Sequence, residues 1–146
     1  MSARRRRPDG QGLVEFALVL PVLLLILMGV FDFGRAVFAY NSLSNAAREG
    51  ARVAIVDQTQ VGGVQAGEVE AANQATGLGL DASDDSQVEV VYLRPDLSPC
   101  PTRDLGCTAK VTVHYEFTAI TPIIGSIIGP IDLSASTEMT IEFTKP

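Results

Sequence analysis

Hydrophobic and polar positions change rhythm twice along this chain. From Leu13 to Phe31 the residues are almost continuously apolar, LVEFALVLPVLLLILMGVF, and Glu15 is the one charge. Those 19 residues rise about 28 Å in a helix at ~1.5 Å each, close to the ~30 Å of hydrocarbon in a bilayer. No comparable apolar run occurs elsewhere. From Asp32 to Val56 the rhythm is helical. Ala36, Tyr40, Leu43, Ala47, Ala51 and Ala54 recur at spacings of three and four and share one face. Small residues dominate that face, which lets another helix or a sheet approach closely. A helix from Gly12 to Val56 is about 67 Å long, twice a bilayer. Its outer half therefore leaves the membrane and must bury its small-residue face.

Asp57 to Gly63 breaks the helical pattern with polar residues and Gly62-Gly63. A second helix is expected from Val64 to Thr76, with Val64, Ala71, Ala75 and Leu78 on one face, weakened by Gly67. Asp81 to Ser86, DASDDS, is a loop by composition. Beyond it the rhythm is period two, in three expected strands. In Gln87 to Arg94, Val88, Val90 and Tyr92 share a face. In Thr108 to Thr118, Ala109, Val111, Val113, Tyr115 and Phe117 alternate with polar residues. In Leu133 to Thr144, Leu133, Ala135, Thr137, Met139, Ile141 and Phe143 do the same. Such alternation means a sheet buried on one face and wet on the other. No crossover helix is expected after Gln87, so antiparallel pairing is the economical choice. The outcome is an α+β class: a long N-terminal membrane-spanning helix running into a small domain with a second helix and a three-stranded antiparallel sheet. Ala119 to Pro130, AITPIIGSIIGP, is apolar but broken by Pro and Gly, and too short to span. It reads either as a connection tucked against the domain edge or membrane surface, or as a contact patch for a neighbouring subunit.

Charge divides the chain further. Four arginines, Arg4 to Arg7, less Asp9, give +3 over residues 1–10, and the formal total of −6 leaves −9 for residues 11–146. The basic end belongs in the cytoplasm by the positive-inside rule, which puts the C-terminus outside. An acidic exported surface argues against nucleic-acid binding, which needs clustered Lys and Arg. The two cysteines, Cys100 and Cys107, are a disulfide candidate outside the cytoplasm, with two free thiols as the alternative. Their spacing does not suit a zinc site.

Three readings of the apolar run compete. A cleaved signal peptide has a shorter apolar region and small residues at its end, whereas Asp32-Phe33-Gly34-Arg35 follows here. An uncleaved signal anchor fits better. The third reading starts from Gly10-Gln11-Gly12-Leu13-Val14-Glu15-Phe16: a short basic leader, a Gly, then a Glu five residues on inside an apolar helix. That is the pattern cut by prepilin peptidases, here between Gly10 and Gln11. With GQGLVEFALVLPVLL, the DFGR that follows, and NAAREGAR at 45–52, the chain resembles the TadE-like family, the pseudopilins of tight-adherence pili and relatives of type IV pilins.

The resemblance implies a basic leader over 1–10, a long helix over 11–56 with its span at about 13–31, and an extracytoplasmic α+β head over 57–146. It implies a minor pilin or pseudopilin that is cut and then joins or initiates a surface filament. Membrane lipid, a prepilin peptidase, an assembly platform and other pilin subunits are the implied partners. It also implies a role for Glu15 in assembly, pairing with the new α-amino group of a neighbour's Gln11. A carboxylate near the end of the run is cheaper than one at its centre, so an interfacial Glu15 with no role is the plain alternative. A self-polymerising major pilin, and a signal-anchored surface binding domain that never assembles, remain as rival functions.

Little in the residues points to catalysis. His114 is the sole histidine and falls on the polar face of a strand, with Lys110, Thr112 and Glu116 as neighbours. Val61-Gly62-Gly63-Val64 lacks the lysine and spacing of a phosphate loop. Asp81, Asp84 and Asp85 lack the Gly and terminal Glu of an EF-hand loop. No enzyme, no cofactor and no metal site is expected.

Overall fold

A computed structural model of the protein describes residues 10–57, 59–100 and 105–142. Of the expected leader only Gly10 falls among them, and Phe143 and Thr144 of the third expected strand lie outside.

The long helix is continuous. Helix α1 runs Gln11–Val56, 46 residues, about 69 Å at ~1.5 Å each. Pro21 lies inside it without ending it, as spans tolerate. The buried face of the outer half comprises Asp32, Ala39, Leu43, Ala46, Ala47, Gly50, Ala51 and Ala54. The expected stripe holds at Leu43, Ala47, Ala51 and Ala54. Tyr40 corrects it, being 52 % exposed, while Ala39, Ala46 and Gly50 form a second buried row. Two rows are needed because two elements cover α1: the sheet, through β4 and β5, and helix α2.

Gly62-Gly63 does more than break the helix. Strands β1 (Gln60–Val61) and β2 (Val64–Gln65) pair antiparallel across it. Both glycines have positive φ, 65° and 92°, as a two-residue hairpin turn of the I′ kind requires. Val64 is therefore in a strand, and helix α2 is shorter than expected, Ala66–Gln74. Its start is held by Glu68, whose Oε2 accepts the Gln65 backbone N–H at 2.6 Å, covering a donor that the helix leaves unpaired. Gly67 weakens a helix in isolation, by about 1 kcal/mol relative to Ala. Here it is a contact point. A Cβ on Gly67 would stand 2.8 Å from the Ala54 Cβ, and one on Gly50 would stand 2.8 Å from both the Ala71 Cβ and the Gly67 carbonyl. The two glycines let α1 and α2 meet backbone to backbone.

Strands β3 (Val88–Leu93), β4 (Thr108–Phe117) and β5 (Ile131–Thr140) form one antiparallel sheet in the order β3-β4-β5. The register sets Val90 opposite Val111, and Val113 opposite Ala135, so the apolar positions of all three strands share the face under α1. Val88, Val111 and Val113 are fully buried there. On the wet face Lys110 reaches Glu138 at 3.6 Å. Tyr92 spans the layers, its hydroxyl donating to the Ala54 carbonyl at 3.0 Å. β5 begins before the expected Leu133 and ends at Thr140, with buried Ile141 just beyond.

The connection from β4 to β5 contains a short helix that the Pro and Gly content concealed, α3 (Pro122–Ile128). Pro122 sits at its start, where its missing N–H costs nothing. Gly129, at φ 71°, ends it.

Candidate functional site: the stalk and its junction with the head

The tip of α1 carries the residues expected to matter for processing and assembly. Gly10 is the last residue before the helix, and its carbonyl accepts the Val14 N–H at 3.2 Å. Gly10, Gln11 and Glu15 are all exposed. Gln11 and Glu15 are one turn apart on the same face, and the Gln11 amide Nε2 donates to Glu15 Oε1 at 3.4 Å. Helix geometry thus places the carboxylate within a turn of the position where a cut after Gly10 would create an amine.

Above the tip, no residue from 13 to 31 is buried. Leu13, Phe16 and Leu18 are 73, 62 and 71 % exposed. This helix is long and apolar enough to cross a membrane. Contiguous apolar surface on that scale needs a cover of lipid or protein. The small-residue face higher up needs none, because the sheet and α2 already occupy it. That face is therefore not available to a neighbouring stalk.

Asp32 marks the boundary between these regimes. It is buried, and its carboxylate accepts the backbone N–H of Ile120 at 3.0 Å and of Thr121 at 2.9 Å. The Arg35 guanidinium approaches it at 3.3 Å and lies 5.3 Å from the Phe117 ring centroid. The Thr121 hydroxyl, then the two backbone N–H groups, with a smaller help from Arg35, hold the Asp32 carboxyl well below the usual carboxylate range. Asp32 thereby anchors the α3 connection to α1. In the sequence Asp32 stands out only as part of DFGR. The available signal was a carboxylate placed directly after an apolar run, where only a specific partner justifies it.

The acidic loop has a structural explanation. Asp81, Asp84 and Asp96 each stand two residues before a serine, Ser83, Ser86 and Ser98. In every case Asp Oδ1 accepts both the serine N–H and its hydroxyl, at 2.6 to 3.1 Å. These bonds, the hydroxyl first, hold all three carboxyls below their ordinary range. The repeated Asp-x-Ser unit builds turns. His114 stays on the exposed side of β4, beside Glu116 and Asp132 in an open cleft of ≈ 410 Å³. Cys100 and Cys107 are joined in a disulfide. The Cys100 N–H donates to the Tyr92 carbonyl at 2.8 Å, and the Cys107 carbonyl accepts the Ile141 N–H at 2.8 Å. The bridge therefore ties the loop to the end of the sheet farthest from Asp32.

Residues 10–52 match the family model described as TadE-like protein. The match opens on Gly10, takes in Glu15, the apolar run, Asp32 and most of the small-residue face, and stops before α2 and the sheet. It covers under a third of the chain. No curated protein and no solved structure matches the chain.

Proposed function

We propose that this chain is a minor pilin or pseudopilin of a tight-adherence-type surface pilus. It is inserted with Arg4 to Arg7 on the cytoplasmic side, cut between Gly10 and Gln11 by a prepilin peptidase, and held by residues 13–31 until a platform draws it into a filament with sibling subunits. The work is assembly, with the α+β head facing outward. One observation carries this reading. A single continuous helix has a lower half in which no residue from 13 to 31 is buried among the described residues, and an upper half packed into a folded head. Lipid covers such a lower half first, and the stalks of neighbouring subunits can cover it afterwards. The family match supports the register of Gly10 and Glu15.

Within a bundle of stalks stripped of lipid, an unpaired Glu15 carries a heavy penalty. The amine released at a neighbour's Gln11 relieves it, so the pair sets register as well as attraction.

Mass spectrometry of the mature N-terminus tests the reading. A chain beginning at Gln11, with Gly10→Ala blocking its formation, supports it. A chain that keeps residues 2–10 in producing cells overturns it in favour of a signal anchor that never assembles.

A further inference from the structure

Ala119 to Ile131, AITPIIGSIIGPI, holds no charged residue. Ile127 and Ile128 of α3 are 77 and 59 % exposed, and Ile120 just ahead of it is 58 % exposed. The place of α3 along α1 says what covers them. Its N-terminal end is bonded to Asp32 through Ile120 and Thr121. Ile124 lies against Gly29, its Cδ1 3.4 Å from where a Cβ would stand. From Asp32 to Gly29 is about 4.5 Å back toward the start of α1. Counted from Leu13, ~20 residues cover the ~30 Å of hydrocarbon, so its outer limit falls at the same level. Two shallow apolar hollows open there. One, ≈ 200 Å³, lies between Gly29, Phe33 and Ile128. The other, ≈ 210 Å³, lies between Leu27, Phe31 and Ile120. Arg35 sits about one turn farther out, at the height where a long cationic side chain meets headgroups.

We propose that α3 is a membrane-resting foot. Ile120, Ile127 and Ile128 enter the outer leaflet at the boundary of acyl chains and headgroups, and the flanking hollows receive acyl-chain segments. The foot fixes the height and rotation of the head on the bilayer. The occupant is lipid because the apolar surface of α3 is continuous with the span and lies at the height of its last turn. Interfacial helices bury their apolar face by ~5–10 Å at this depth. This inference rests on the reading of residues 13–31 as a span.

The test uses the full chain in phosphatidylcholine–phosphatidylglycerol vesicles, with an environment-sensitive fluorophore on single introduced cysteines and a mixture of lipids spin-labelled near the headgroup end and near the middle of the acyl chain. Labels at Ile127→Cys and Ile120→Cys are expected to be quenched about as strongly as one at Leu24→Cys in the span. A label at Leu97→Cys, at the far end of the head, should not be quenched. Quenching at Leu24 without quenching at positions 120 and 127 overturns the foot and leaves the span standing. No quenching at Leu24 overturns both. Shielding at position 127 that depends on protein concentration and disappears at high lipid-to-protein ratio also overturns it, in favour of a neighbouring subunit on this surface.

Discussion

The two halves of α1 obey different rules although no break separates them. From 13 to 31 the side chains are mostly large, Leu, Val, Ile, Met and Phe, and none is buried. From 39 to 54 the buried positions are Ala and Gly, with Leu43 the only large residue among them. Large side chains suit a surface that meets a deformable solvent such as lipid, where shape need not match. Small ones suit a contact made once, with a fixed partner, where backbones must come close. Side-chain size along one helix thus separates the part that the head packs against from the part that it leaves exposed.

The sharpest way to break this contrast is to enlarge a small residue. Gly50→Leu puts atoms where Ala71 and the Gly67 carbonyl already are, and is expected to destabilise the head by about 3 kcal/mol. Thermal unfolding of the detergent-solubilised chain, followed by near-ultraviolet dichroism, measures this. Leu24→Ala in the lower half should move the same transition by less than about 0.5 kcal/mol. Equal effects from the two changes would erase the distinction.

The lower half should show its importance only in assembly. Glu15→Ala is expected to leave cleavage and head stability intact and to cut filament yield by about tenfold, equivalent to ~1.4 kcal/mol. Sheared-filament immunoblots provide the measurement, and normal filaments would remove the pairing argument.

The boundary between the halves responds to acid. The Asp32 carboxyl is lowered in the folded chain, to about 2, so the unfolded chain takes up protons first. The stabilisation is complete above the ordinary aspartate value of ~3.9 and is lost as pH falls toward the folded value. Hydrogen exchange at Ile120 and Thr121, taken relative to the intrinsic rate at each pH, should accelerate over that acid window before that of the core amides of β4. Asp32→Ala should accelerate it at neutral pH as well.

The smallest effect belongs to the exposed side of the upper half. Arg52 and Glu49 are 3.8 Å apart and mostly solvated. Arg52→Ala should shift stability by no more than a few tenths of a kcal/mol.

Sequence alone was enough for whatever depends on neighbours along the chain. A helix long and apolar enough to cross a membrane follows from nineteen nearly uncharged residues. The three strands follow from alternation, since each apolar position in Thr108 to Phe117 declares its own face. The long helix follows from spacing, and the match over 10–52 lies within that locally legible part. Tertiary structure decided which surfaces meet. Small residues announce a close approach without naming the partner, and only folding shows that α2 and the sheet together take this face. Gly67 reads as a helix weakness until Ala54 is seen against it. Gly62-Gly63 reads as a break until its two positive φ values close a hairpin. Asp32 acquires its partners from residues 88 and 89 positions later, and Pro122 and Gly125 conceal a helix that this same carboxylate anchors. Local pattern reports what a residue can bury; only the folded chain determines against what.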